Sequence, residues 1–187
     1  MENLLKKKSA RASFFIKEEK MLDVYNSQRK KTGKVIERGA ALAKGEYQLA
    51  AAAVIINQEK FLITQRHPAK QMGLFWEVPG GAVEAEETSR SAALRELKEE
   101  IGIVVQSSEL QFVETICYEQ LNLLIDGYVV SQNIELSELV LQPEEVIAAR
   151  LASFSEIKEL QETRQFTPFD FMLCQVIQER QMKGRLK

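Results

Sequence analysis

The chain has 187 residues, 45% of them apolar, which is enough for one domain of ordinary size with a substantial core. Its 25 basic and 27 acidic residues leave a formal net charge of -2, which excludes the global basic field that nucleic-acid binding normally requires. No apolar stretch is long enough to cross a bilayer, and the N-terminus lacks the apolar core of a signal peptide, so a cytoplasmic protein is expected.

Residues 1–20 carry a KKK run, a Phe14-Phe15-Ile16 patch and then KEEK, with no clean period. They read as an extension, giving expected boundaries of 1–21 for this segment and 22–187 for the domain. The patch is a candidate homodimer contact. The text from Leu22 to Gly39 predicts a hairpin with Gly33 near its turn. Tyr47 to Ile56 is a near-continuous apolar run, expected as a strand buried on both faces and paired with FLITQR across a polar turn at Asn57 to Lys60. An aromatic loop then leads into Pro79-Gly80-Gly81. Glu86 to Ile101 predicts the clearest helix, ended by Gly102.

Three further strands are expected at Gln111 to Tyr118, Tyr128 to Leu136 and Val146 to Phe154. Phe169, Met172, Leu173, Val176 and Ile177 recur at helical spacing and predict a last helix docked on the sheet by that stripe. Cys117 and Cys174 are isolated and are expected as reduced, buried thiols.

The predicted helix at Glu86 to Ile101 carries chemistry. Glu96, Glu99 and Glu100 stand at i, i+3 and i+4 and share a face, whereas Ala93, Leu97 and Ile101 form an apolar stripe roughly 120° away around the axis. Three like charges at that spacing weaken a helix by a few tenths of a kcal/mol per pair, so something should compensate them. Divalent cations suit carboxylate oxygens, and magnesium typically takes one or two carboxylates with waters and phosphate oxygens. Arg95, four residues before Glu99, has a donor fork that can orient an acid. Gly81 can bring a backbone carbonyl close to a ligand.

From Gly81, the text GAVEAEETSRSAALRELKEEIGI resembles the Nudix box at every required position: Gly81, Glu87, Arg95-Glu96, Leu97, Glu99-Glu100, Gly102 and Ile103. Such a match arises by chance on the order of once in 10^7 chains of this length at average composition. The resemblance implies an α/β/α sandwich around a mixed β-sheet, and hydrolysis of a nucleoside diphosphate derivative or a similar small-molecule diphosphate with Mg2+, or Mn2+ in its place. It implies metal-ligand roles for Gly81, Glu96, Glu99 and Glu100. Glu96, Glu99 and Arg95 take the catalytic positions, while Arg95 and Glu87 hold loop and helix together. One departure stands inside the box, where Glu86 replaces the usual glycine.

The flanking text resembles the Nudix branch similar to type I isopentenyl-diphosphate isomerase. Gln48 stands where those relatives often carry histidine, and no cysteine follows Trp76, which disfavours isomerisation itself. Isomerase-like activity and a non-catalytic ligand-sensing domain are the alternatives. Arg66, at the end of FLITQR, is the expected phosphate contact and Trp76 the expected stacking residue. His67, alone beside Pro68, has no partner histidine for a metal site. Glu144 and Glu145 are candidates for a further acidic ligand or base. The loops Ala69 to Trp76 and Glu119 to Gly127 are expected to set selectivity.

Overall fold

A computed structural model describes residues 20–184. The Phe14-Phe15-Ile16 patch lies outside the described residues. The strands are β1 (Met21–Tyr25), β2 (Lys31–Glu37), β3 (Tyr47–Asn57), β4 (Lys60–Arg66), β5 (Trp76–Glu77), β6 (Gly80–Ala82), β7 (Gln111–Tyr118), β8 (Leu123–Ser131) and β9 (Val146–Ala152). The helices are α1 (Ser89–Ile101), α2 (Phe154–Glu162) and α3 (Pro168–Met182). No described helix is long and apolar enough to cross a membrane.

The sheet is mixed, and β3 is its axis. Alternation along β3 sends Leu49, Ala51, Ala53 and Ile55 into a core with α1, and Ala52, Val54 and Ile56 into a second core with α2 and α3. Both faces are covered, which makes the fold the expected α/β/α sandwich. β3 pairs parallel with β8 from Gln48↔Leu123 to Ile56↔Ser131, and antiparallel with β6 through Ala50↔Ala82.

β3 and β4 form the predicted hairpin, but they pair only at Ile56↔Phe61 and Asn57↔Lys60. Beyond those pairs the strands part. β4 turns to β9 and β5, and the β5–β6 segment runs from the β4 side of the opening to the β3 side. That parting creates the space for the site described below.

Several expectations shift. The first hairpin turns at Asn26 to Lys30 and not at Gly33, which lies inside β2 where the pairing with β1 is irregular. α1 starts at Ser89 and not at Glu86, because Glu86 has a left-handed φ of 67° and Thr88 supplies the cap, accepting the Ser91 N–H at 3.1 Å. Gly102 ends the helix as predicted, at φ 75°.

The strand expected at Tyr128 to Leu136 begins at Leu123, because Asp126-Gly127 reads as a break yet is buried inside β8. Arg29 Nε reaches both Asp126 carboxylate oxygens, at 2.7 and 2.9 Å, and Thr115 Oγ1 adds a bond at 2.7 Å. A charge with that many partners tolerates burial, and no local period reveals them. The supposed loop from Glu119 to Gly127 is therefore a short 3-10 turn followed by strand.

β9 stops at Ala152 and α2 follows, opened by a Ser153–Glu156 capping box. α3 buries Leu173, Cys174, Ile177 and Asp170, with Phe169 and Val176 packed beside them, but Met172 is exposed. Cys174 is buried as expected. Cys117 is exposed, because β7 pairs with β8 alone and turns alternate side chains to solvent.

Candidate active site

The site assembles where β6 lies against both β3 and α1. The alanines of β3 permit the approach: Ala51 pairs with Gly81 and Ala52 with Gly80. A Cβ on Gly80 would collide with the Ala51 carbonyl, and one on Gly81 would collide with the Glu96 carboxylate. The paired glycines thus allow the backbone to run between the central strand and the acidic helix.

α1 presents its glutamates unequally. Ala93, Leu97 and Ile101 are fully buried in the core, as their stripe predicts. Glu100 is 2% exposed and accepts the Gly80 N–H at 3.2 Å. Glu96 is mostly buried, and Glu99 is exposed. Burial pushes the Glu100 carboxyl well above its ordinary pKa, and Glu77 and Glu96 push it further. Burial also raises Glu96, against the opposing pull of Arg95.

Arg95 braces this region. Its Nε and Nη2 each meet one oxygen of Glu87 at 3.0 Å, Nη2 reaches the Ala82 carbonyl at 3.1 Å, and Nη1 contacts Glu96 at 2.6 Å and Glu99 at 3.3 Å. Glu87 in turn accepts the Glu84 N–H at 3.1 Å. The fork therefore ties loop to helix as the box resemblance implies.

A cavity of about 270 Å³ lies on the other side of the glycines, lined by Gly80, Gly81 and the Gln48 to Ala52 stretch of β3. Leu123, Ile125 and Phe169 supply apolar wall, and Arg38, Arg66 and Lys70 supply cationic side chains. Arg66 lines the cavity where the sequence expects it, but its guanidinium is already engaged: Nη1 pairs with Glu77 and Nε donates to the Gln71 carbonyl at 2.9 Å.

Trp76 does not line the cavity. Strand alternation turns Glu77 toward it and Trp76 away, and the indole lies under the Arg150 guanidinium, 5.1 Å from ring centroid to Cζ. His67 closes a turn, its Nδ1 accepting the Ala69 N–H at 3.2 Å.

Several polar residues of the site, Lys70, Glu77 and Asp170, are absent from the sequence expectations. Lys70 pairs with Glu145 and lies 3.8 Å from Glu100. Glu77 is 3% exposed and its Oε1 has no hydrogen-bond partner among the described residues. Asp170, buried and paired with Thr167 Oγ1, faces the same cavity; burial, joined by Glu77, pushes its pKa up to about 8. The Thr-x-x-Asp spacing at the start of α3 is the one local hint of that residue.

Among the described residues, no three acidic, cysteine or histidine side chains already converge at ligand distance. The donor set nevertheless fits a hard divalent cation. Glu100 is a buried oxygen donor whose pKa is raised by burial, then by Glu77 and Glu96; Glu96 is a second, mostly buried donor, and Gly81 is stripped of the Cβ that would keep Glu96 from its backbone.

The chain matches the family model of the NUDIX domain over residues 46–170. It is 32% identical over 153 residues to an uncharacterized Nudix hydrolase of Listeria monocytogenes, covering 80% of this chain and 89% of that one. A Proteus vulgaris 8-oxo-dGTP diphosphatase is 40% identical over 76 residues, 41% of this chain and 66% of that protein. The crystal structure of a Deinococcus radiodurans protein superposes with a TM-score of 0.68 at 18% identity, covering 84% of this chain and 98% of the other. The family model spans every residue of the glycine loop and the acidic helix, and the chain belongs to the Nudix hydrolase family.

Proposed function

We propose that the protein hydrolyses the pyrophosphate bond of a nucleoside diphosphate derivative or similar small organic diphosphate, using Mg2+, with Mn2+ as a substitute. The observation that carries this reading is the placement of Gly80-Gly81, which line the cavity and also touch the buried carboxylate of Glu100 and the mostly buried one of Glu96. A diphosphate in the cavity therefore lies beside the donor set. The 8-oxo-dGTP diphosphatase among the relatives supports the substrate class.

In this reading Glu96, Glu99, Glu100 and the Gly81 carbonyl hold the metal. The bound ion supplies Lewis-acid activation of the attacking water and neutralises charge on the phosphate oxygens. Arg95 fixes Glu96 and Glu99, either of which would accept a proton from the attacking water. Arg66 and Lys70 present cationic groups to the phosphates from the cavity wall.

The test is turnover of a panel of nucleotide sugars, dinucleotides, deoxynucleoside triphosphates and isopentenyl diphosphate, with Mg2+ and then Mn2+. Hydrolysis at a phosphoanhydride is expected, and Glu100→Gln should lower it on the order of 10²-fold or more by removing a metal-binding charge. Because glutamine still accepts the Gly80 N–H, the fold should persist. Full activity in that variant, or no hydrolysis across the panel with either metal, would overturn the assignment.

A further inference from the structure

The family model begins at residue 46, yet Arg38 and Gly39 line the cavity. They follow directly from β2, and the β1–β2 hairpin is fastened to the catalytic region at several points. The Ala85 N–H donates to the Met21 carbonyl at 2.7 Å, the Glu86 N–H to Asp23 at 3.0 Å, and Lys20 pairs with Glu84 at 2.6 Å. Farther along, Arg29 reaches Asp126 in β8 and Ser89 at the start of α1. The Arg38 N–H closes the arrangement by donating to the Lys20 carbonyl at 2.9 Å. Its backbone is therefore held beside the loop that precedes α1.

Three of the described cavity-lining residues are cationic, and they differ in what they already bind. Arg66 is committed to Glu77 and Lys70 to Glu145. The Arg38 side chain has no hydrogen bond or ion pair among the described residues. It is near enough to acids on two sides to matter electrostatically: Lys20 is the main cause of the lowered Glu84 pKa and Arg38 adds to it. At Glu145, burial is opposed by Lys70 and then by Arg38, with a net lowering. Among the described residues, an incoming anion thus meets one guanidinium with no hydrogen-bonded partner to displace.

We propose that Arg38 is a substrate-binding residue that contacts a phosphate oxygen of the bound diphosphate, so that the hairpin upstream of the family-model match completes the substrate site. The inference rests on the diphosphate reading above. It assigns affinity to a segment that precedes the family-model match.

Calorimetric titration with inorganic pyrophosphate in the presence of Mg2+ tests it, because that probe carries the chemistry common to all such substrates. Arg38→Ala should weaken binding about tenfold, Arg38→Glu more, and Arg38→Lys less, since lysine keeps the charge but loses the fork. Lys34→Ala, on the same hairpin but paired with Glu46, should bind as wild type does. Raising the salt concentration should weaken the wild type more than Arg38→Ala, because the contact lies at a solvent-facing residue. With a panel substrate, KM should rise while kcat stays within about twofold. Wild-type affinity in Arg38→Ala, or equal weakening in Lys34→Ala, overturns the role of Arg38 and leaves the diphosphate reading standing. A wild-type protein that neither binds pyrophosphate nor hydrolyses any diphosphate overturns both.

Discussion

Replacing Gly81 by alanine separates what the fold needs at this position from what the site needs. The φ of Gly81 is not in the left-handed region, so an alanine backbone fits β6 without strain. What the new methyl meets is the end of the Glu96 side chain, which can shift at the expense of its contact with Arg95, and not fixed backbone. Stability should therefore change by less than about 1 kcal/mol, since relaxing one side chain is offset by the lower entropy of the unfolded chain. The Glu96 carboxylate must retreat by about 1 Å, which disturbs its contact with Arg95, and a displacement of that size at a reacting centre costs roughly 10²-fold. Thermal melts and metal-dependent turnover of Gly81→Ala and wild type would be compared on one preparation each. A variant that melts with the wild type and also turns over at the wild-type rate would refute the close approach of Glu96 to Gly81 as a functional requirement.

Two further outcomes concern buried charge. Asp170 has its folded pKa raised to about 8 by burial and Glu77, so its contribution to stability is complete below its unfolded value near 3.8 and is lost as pH rises toward 8. Asp170→Asn, read by calorimetric melting of metal-free protein between pH 5 and 8, should show a flatter decline in Tm than wild type; an unchanged slope would assign the decline to other groups. Arg29→Ala leaves Asp126 buried without its cation and should cost about 2 kcal/mol, at the low end for a buried pair because the arginine is partly exposed. Arg29→Ala with Asp126→Asn should recover part of that loss, and a double variant less stable than the single one would contradict the account.

What was legible in the sequence was local. The glycine loop, the spacing of Glu96, Glu99 and Glu100, the apolar stripe behind them and the Gly102 cap all sit within a few turns of one another, where helical geometry alone fixes who faces whom. Arg66 is found in the cavity wall because it ends a strand whose period was clear. The remainder depends on contacts between distant segments. Asp126 looked like a loop residue because Arg29, 97 positions away, was not visible as its partner. Glu77, Lys70 and Asp170 gain their setting only when β3 and β4 separate, and no periodicity encodes where two paired strands part. α2 is locally legible, since Ser153 and Glu156 spell its capping box, but the strand expected from Val146 to Phe154 runs over Ser153.

Glu86 gives the loop before α1 a dependence on its neighbours. A non-glycine residue at φ 67° costs on the order of 1 kcal/mol, and Asp23, held by Lys31 at 2.6 Å, accepts the Glu86 N–H that this conformation presents. The two positions, 63 residues apart, are thus expected to be epistatic. Loss of Asp23 should be harmful while glutamate occupies position 86 and mild once glycine replaces it. The order in which a lineage acquires the two changes would then decide which are accessible, and exchanging the hairpin between relatives would succeed only when the residue at position 86 travels with it.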